Sequence, residues 1–213
     1  MRRTTELQTI LTIVFVGALM VSNIITAKQI QMPFGIVLSG GVFIFPLTYV
    51  LSDVFSECYG YRWSRVTCYI AFSMNLLMVL IFAAVIRTPA PVWFEGSEAF
   101  ATTLGGTPRV LAGSFLAFLL GDLVNDRVFR RMKMEHPDNH AGFGWRAIMS
   151  SIVGELVDSI VFFPIAFGGQ MPISALISMA VLEICMKVGY EIIILPITSR
   201  AVCMVSDFEG QTA

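Results

Sequence analysis

The sequence predicts an all-α integral membrane protein with six transmembrane helices and both termini in the cytoplasm. Apolar residues make up 56% of the chain and charged residues only 14%, whereas a soluble domain usually carries about 25% charged residues. The mean hydropathy is +0.76. Long apolar runs recur along the chain, and basic residues concentrate in alternate connections between them. We expect residues 1–213 to form a single transmembrane domain.

Six runs are long enough to cross the hydrocarbon core, which takes about 20 residues of helix. The predicted helices cover approximately 9–27, 35–55, 66–86, 109–128, 147–167 and 173–195. Arg2 and Arg3 before the first run resemble the start of a signal peptide. However, the first run has nineteen uncharged residues and no A-x-A site follows it, so we expect a retained helix.

The basic residues predict the orientation, because cytoplasmic connections carry the excess of lysine and arginine. With a cytoplasmic N-terminus, ten of the fourteen basic residues lie inside and three lie outside. The remaining one, Lys187, lies within the sixth span. Both termini are therefore predicted to be cytoplasmic.

Composition argues against several other classes of protein. The net charge of −1 leaves no basic surface for nucleic acid. The scattered cysteines predict neither disulfides nor metal ligands, and His136 and His140 lie in a polar loop. No hydrolase or nucleotide-binding motif is present, and no histidine lies in a span. We expect no catalytic residue, no metal and no cofactor.

Ionisable residues within the predicted spans are the main functional signal, because charges inside a membrane are costly and usually serve a pathway or a partner. Glu155 and Asp158 are three residues apart in the fifth span. Glu183, Lys187 and Glu191 recur every four residues in the sixth. Each set shares one helix face. Asp158 and Lys187 both fall near the middle of the membrane, which predicts that they pair.

Two further acidic pairs lie at the cytoplasmic ends of the second and fourth spans. They are Asp53 with Glu57 and Asp122 with Asp126. The spacing allows either a functional role or interfacial ion pairs with nearby arginines. Glycines and a proline also interrupt the second and fifth spans, as in the broken helices that build many transporter sites. The prolines fall on opposite sides of the acids, so an internal repeat is only weakly indicated.

Four segments resemble a known family when taken together. They are SNIITAK, FPLTYVLSDVFSECYGYRWSR, SSIVGELVDSIVFFPIAFGG and MKVGYEIIILP. In this order they resemble the queuosine precursor transporters, also described as vitamin uptake transporters, from about Ser22 to about Pro196. The third span and the outer loop match loosely, and Asp122 stands where the family pattern suggests Glu or Gln.

The resemblance implies a bacterial inner-membrane protein that imports a 7-deazaguanine base for queuosine, a tRNA modification. The expected substrates are 7-cyano-7-deazaguanine, 7-aminomethyl-7-deazaguanine and queuine. A carboxylate of Glu155 or Asp158 would accept two hydrogen bonds from the guanine edge, and Lys187 would neutralise a carboxylate or contact the O6 carbonyl. The full set of expected substrate-binding residues is Glu155, Asp158, Lys187, Asn23, Asn125, Asp53, Glu57, Ser151, Phe162, Tyr190 and Glu191.

Two other functions stay open at the level of sequence. The chain could be the substrate-binding membrane subunit of an ATP-driven uptake complex, because such subunits are also small and six-helical. A membrane-embedded enzyme is less favoured, since no nucleophile lies beside a base in any span. The expected partners are a small-molecule substrate and the lipid bilayer, without nucleic acid. The sequence leaves open whether the chain forms a homodimer.

Overall fold

The computed structural model describes residues 5–33, 37–135 and 142–212. These residues form seven α-helices and one two-stranded sheet. The helices are α1 (Glu6–Ile25), α2 (Phe45–Val54), α3 (Tyr61–Arg87), α4 (Ser97–Leu104), α5 (Thr107–Glu135), α6 (Gly142–Phe167) and α7 (Ile173–Thr212). The strands are β1 (Gln29–Gln31) and β2 (Val37–Ser39). The predicted helical character of the chain is thus confirmed.

Four helical segments within the described residues are long and apolar enough to cross a membrane. They are Glu6–Ile25, Arg62–Arg87, Ser97–Gly121 and Ile173–Tyr190. They overlap the predicted spans 9–27, 66–86, 109–128 and 173–195. The other two spans, the total of six and the orientation of the termini stay predictions.

The first helix begins where its sequence provides a cap. The Thr5 hydroxyl accepts a hydrogen bond from the Gln8 backbone N–H at 3.2 Å, and the Thr5 N–H donates to Gln8 Oε1 at 3.3 Å. This reciprocal capping box satisfies backbone donors that the first turn would otherwise leave unpaired. Helix α1 therefore starts at Glu6, three residues before the predicted apolar run.

The predicted helix over 35–55 is not continuous in the structure. Strand β2 is followed by a 3-10 helix (Gly40–Phe43), the ten-residue α2 and a π-helix (Phe55–Tyr59). A Cβ on Gly40 would collide with the carbonyl oxygen of Ile25, so this close approach requires glycine. Pro46 lies in the first turn of α2, where the missing N–H is tolerated. Glycine and proline thus explain where the helix is interrupted.

The chain divides into two compact units. The first comprises Met1–Ile30, Leu38–Pro108 and Gly189–Ala213. In this unit the ring of Phe15 on α1 packs edge-to-face on Phe55 at a centroid distance of 5.7 Å. Both rings are buried, so they form part of the packing between α1 and the π-helix.

The second unit comprises Gln31–Val37 and Arg109–Val188. Its core is built by α5, α6 and the first half of α7. The buried members of this core are Val110, Ala117, Phe162, Phe163, Ala166, Phe167 and Met179. Helix α7 has 40 residues, about 60 Å at 1.5 Å per residue. It therefore continues well past the predicted end at residue 195.

Candidate functional site

Helix α6 carries its acidic residues on the side opposite its exposed apolar stripe. Glu155, Asp158 and Phe162 follow the i, i+3, i+7 spacing of a single helix face. Leu156 and Ile160 on the other side are 40% and 68% exposed. The two carboxylates therefore lie on the packed face of α6. The sequence predicted that they share one helix face.

Helix α7 has the same division into a buried polar face and an exposed apolar face. Met179, Glu183 and Lys187 recur every four residues, and all three are buried. The exposed apolar residues of the first half of the same helix include Ile173, Ile177 and Val181. A lysine and a glutamate thus lie on the inward face of a helix that is otherwise suited to lipid.

Lys187 joins the two helices. Its Nζ donates a hydrogen bond to Asp158 Oδ2 at 2.7 Å and lies 2.9 Å from Glu155 Oε2. The lysine side chain is only 9% exposed, whereas those of Glu155 and Asp158 are 21% and 25% exposed. The predicted pair between Asp158 and Lys187 is confirmed, and the structure adds Glu155 as a second partner.

The three groups form a cluster, here called the Lys187 bridge: Glu155, Asp158 and Lys187. With all three ionised, it carries one more negative than positive charge. An isolated ionised residue at the membrane centre costs about 2.5–3.5 kcal/mol on insertion scales. Pairing with Lys187 lowers that cost for both carboxylates, and their remaining exposure leaves them reachable by a ligand.

Helix α5 packs closely behind Asp158 through small residues. Gly113, Ala117 and Gly121 recur every four residues, and Ala117 is fully buried. A Cβ on Gly121 would lie 3.1 Å from the carbonyl oxygen of Gly154 and 3.4 Å from Asp158 Cβ. Small residues allow this close approach of membrane helices. The position of Asp158 therefore depends on the absence of a side chain at Gly121.

Phe162 belongs to an aromatic cluster within the core. Its ring lies 5.4 Å from that of Phe163 and 5.9 Å from that of Phe167, both edge-to-face. It is 6% exposed, and a Cβ on Gly113 would lie 3.2 Å from its Cδ2 atom. In this conformation the ring packs between α5 and α6, so its role as a stacking platform for a base stays a prediction.

Ser159 is a candidate that the sequence analysis did not single out. It lies one helical turn after Glu155 and is 1% exposed. Its hydroxyl has no hydrogen-bond partner among the described residues, although buried polar groups usually have one. The available signal was its i+4 spacing from an intramembrane acid. A free hydroxyl here could serve as donor or acceptor to a ligand.

The far end of α6 is fixed by Arg109 of α5. The guanidinium donates from Nε to the carbonyl of Ile165 at 3.2 Å and from an Nη atom to that of Gly168 at 2.8 Å. These carbonyls at the helix C-terminus have no partner within the helix, and a cation there also opposes the helix dipole. Arg109 therefore helps to hold the helix that carries both carboxylates.

Asn23 lies in the first unit, where it bonds to another helix. Its Nδ2 donates to Asn75 Oδ1 at 2.9 Å, and Asn75 Nδ2 donates to the Ala71 carbonyl at 2.9 Å. Asn23 is 4% exposed and Asn75 is fully buried. The asparagine pair links α1 to α3, and substrate contact by Asn23 stays a prediction.

The remaining expected site residues also lie in helical segments of the structure. Tyr190 follows Lys187 by three residues on α7 and is half-buried. For the others the structure describes the helical backbone and not the side chains: Asp53, Glu57, Asn125, Ser151 and Glu191. Because Asp53 lies in α2 and Glu57 in the π-helix, their four-residue spacing no longer corresponds to one regular α-helical turn.

The described residues contain no group of three or more histidine, cysteine, aspartate or glutamate side chains that could hold a metal ion. His136 and His140 lie outside the described residues. The Lys187 bridge itself consists of two carboxylates and one ammonium.

Apolar helices long enough to cross a membrane, together with ionisable residues on the packed faces of two helices, are features of membrane proteins that move polar solutes. Residues 39–201 match the model of a family described as "Putative vitamin uptake transporter". The chain belongs to this family, which confirms the resemblance seen in the motifs. It is a multi-pass membrane protein, and the match points to a transporter rather than an enzyme.

One curated relative comes from Bacillus subtilis (strain 168) and is described as "Probable queuosine precursor transporter". It is 24% identical to this chain over 197 residues, which cover 92% of the chain and 85% of the relative. No solved structure matches the chain. The Lys187 bridge lies within the region that matches the family.

Proposed function

We propose that this chain imports a 7-deazaguanine base, a precursor of queuosine, across a bacterial cytoplasmic membrane. The observation that carries the proposal is the Lys187 bridge, in which two partly exposed carboxylates of α6 lie beside the ammonium of Lys187 on α7. Family membership and the description of the relative support this substrate class.

The chemistry of the bridge suits the edge of a guanine-like base. That edge presents an N1–H and a 2-amino group side by side, and one carboxylate can accept both hydrogen bonds. Each carboxylate has one oxygen close to Lys187. Its other oxygen has two lone pairs and can accept hydrogen bonds from a ligand. We assign Asp158 or Glu155 to the guanine edge, and Lys187 to charge balance or to the O6 carbonyl.

Other groups would complete the site around the bridge. The buried hydroxyl of Ser159 is one turn from Glu155 and has no hydrogen-bond partner among the described residues. Tyr190 lies one turn beyond Lys187 on α7, and an aromatic ring at that place could stack on a flat base. We propose both as additional contacts to the substrate.

Uptake by cells tests the proposal. The chain is expressed in a bacterium that cannot make queuosine precursors and lacks its own transporter, and low external base is supplied. Queuosine should appear in its tRNA with the wild-type chain. The Glu98→Gln variant, which alters an exposed carboxylate on α4, serves as control and should behave like wild type. Queuosine no higher than with empty vector, with the chain present in the membrane, would refute the proposal.

A second measurement separates this function from that of a subunit of an ATP-driven complex. The purified chain is reconstituted into sealed vesicles without any other protein or nucleotide. Accumulation or exchange of labelled base shows that the chain transports alone. Tight binding without exchange would instead identify a substrate-binding subunit.

A further inference from the structure

The charges of the Lys187 bridge do not balance. Two carboxylates share one ammonium, at 2.7 and 2.9 Å. Among the described residues, Lys187 is the cation that pairs with both. Arg109, another described cation of the second unit, donates to backbone carbonyls near the end of α6. With all three groups ionised and no ligand bound, the bridge therefore has one negative charge in excess.

The three side chains of the Lys187 bridge differ in exposure. The side chain of Lys187 is 9% exposed, while those of Glu155 and Asp158 are 21% and 25% exposed. The two carboxylate side chains are thus more exposed than the lysine side chain that bridges them. Glu183, which is 1% exposed and precedes Lys187 by one turn on α7, adds a further acidic group on the same helix face.

Low polarity around the site raises the free-energy cost of this excess charge. Inside a membrane protein an excess charge is poorly solvated, and an opposite charge brought by a ligand is correspondingly favourable. A ligand with one positive charge makes the bridge neutral. A neutral ligand leaves the excess carboxylate as it was.

Building on the proposed function, we infer that the site selects a cationic precursor: a 7-deazaguanine with a protonated aminomethyl group, in preference to the neutral base with a nitrile. A primary alkylamine is protonated at neutral pH, as the lysine side chain is. Its ammonium donates charge-assisted hydrogen bonds to a carboxylate. A nitrile only accepts hydrogen bonds and therefore cannot bond to a carboxylate.

The size of the preference follows from one added hydrogen bond between charged partners. Such bonds contribute about 1.5–3 kcal/mol, which corresponds to roughly ten- to a hundredfold in affinity. We expect the aminomethyl base to bind the wild-type chain more tightly than the cyano base by this factor.

Binding and uptake of three bases test the inference on the full chain in vesicles: the aminomethyl base, the cyano base and a 7-hydroxymethyl base. The hydroxymethyl base matches the aminomethyl base in shape without its charge. If charge determines the preference, the hydroxymethyl base should bind clearly more weakly than the aminomethyl base, although its hydroxyl can also donate a hydrogen bond to a carboxylate. If the hydroxymethyl base binds as well as the aminomethyl base, shape decides and the inference is wrong.

Substitutions at Glu155 test whether the charge of the Lys187 bridge causes the preference for the aminomethyl base. Glu155→Gln removes one negative charge and leaves Lys187 paired with Asp158. The ratio of the aminomethyl-base affinity to the cyano-base affinity should therefore fall about tenfold, whatever loss the two bases share. Glu155→Asp keeps the charge and should keep the preference, and Glu98→Gln on α4 should change nothing. Should Glu155→Gln fail to fold, as judged by its melting temperature, Asp158→Asn provides the same loss of one negative charge.

The outcomes separate the inference from the function on which it rests. Binding of neither base contradicts the proposed function itself. Equal binding of the two bases, or tighter binding of the cyano base, keeps the function and overturns the charge selection. A preference that persists in both Glu155→Gln and Asp158→Asn would show that other residues select the cation.

Discussion

The ammonium of Lys187 on α7 donates a hydrogen bond of 2.7 Å to Asp158 on α6. The two residues are 29 positions apart in the chain and lie on helices that follow one another. Because Lys187 also lies 2.9 Å from Glu155, removing the lysine leaves two carboxylates without their cation. This relationship makes the bridge both a link between helices and a candidate binding site.

Removing the charges in steps should separate these two roles. Breaking a buried ion pair by deleting one partner costs about 3–5 kcal/mol, so Lys187→Met should strongly lower the melting temperature. The triple variant Glu155→Gln, Asp158→Asn, Lys187→Met leaves no charge in the bridge and should recover most of that stability. If the bridge binds substrate, the triple variant should still fail to bind the base.

Thermal unfolding in detergent and base binding provide the two readouts. Arg87→Met, which alters an exposed cation at the end of α3, is the control and should change stability by no more than about 0.5 kcal/mol. A triple variant that regains both stability and base binding would show that the bridge is only structural. A Lys187→Met variant as stable as wild type would refute the pairing.

A side chain at Gly121 should disturb Asp158. Gly121→Leu places a bulky group where a Cβ alone would already lie 3.1 Å from the Gly154 carbonyl oxygen, so α5 and α6 must separate. Overpacking of this kind typically costs about 1–3 kcal/mol. We expect a lower melting temperature and weaker base binding together.

Gly17 on α1 offers the matched control for that experiment. It is also a helical glycine, but no atom lies within 4 Å of its added Cβ. Gly17→Leu should leave the melting temperature unchanged or raise it, because leucine favours a helix more than glycine does. Unchanged base binding in Gly121→Leu would show that close packing at this position does not position Asp158.

We predict that the asparagine pair of the first unit, Asn23 and Asn75, contributes mainly to the stability of the fold. Hydrogen bonds between membrane helices contribute on average about 0.6 and at most about 1.7 kcal/mol. Asn23→Ala and Asn75→Ala should each lower stability by this order, and the double variant should lose less than the sum. A double-mutant cycle on unfolding measures the coupling. If only Asn23→Ala reduced base binding at equal stability, Asn23 would be a substrate contact.

Orientation in the membrane has its own test. Reporter fusions after Ala213 and within 136–140 should report a cytoplasmic location, and a fusion near Gly96 should report an external one. The reason is the ten-to-three asymmetry of basic residues across the predicted connections. A C-terminus on the outside would contradict both the number of spans and the assignment of sides.

The second predicted span shows where sequence reasoning about helices is limited. Its apolar run is long enough to cross a membrane, and Gly40 and Pro46 signalled an irregularity. Only the structure shows a strand, a 3-10 helix, a short α-helix and a π-helix in this region. The reason is a contact that is distant in sequence, since Gly40 packs on the backbone of Ile25 and its N–H donates to the Lys28 carbonyl at 2.8 Å.

The candidate site was predicted in part because its signals are local. Glu155, Asp158 and Lys187 share helix faces through their spacing, and unpaired charges inside a membrane are costly. That Lys187 reaches both carboxylates, and that Phe162 packs into the core, depends on how closely the helices approach. The spacing within one helix carries no information about that distance.

The sequence by itself determined that this is a helical membrane protein with acidic residues and a lysine within its apolar segments. Composition and periodicity are sufficient for this, because transfer from water to lipid and helix formation depend on short stretches of chain. Tertiary structure decided which groups meet: Lys187 with both acids, Asn23 with Asn75, and Gly121 with the backbone behind Asp158. These contacts join residues far apart in the chain, and only the packing of helices against one another brings them within bonding distance.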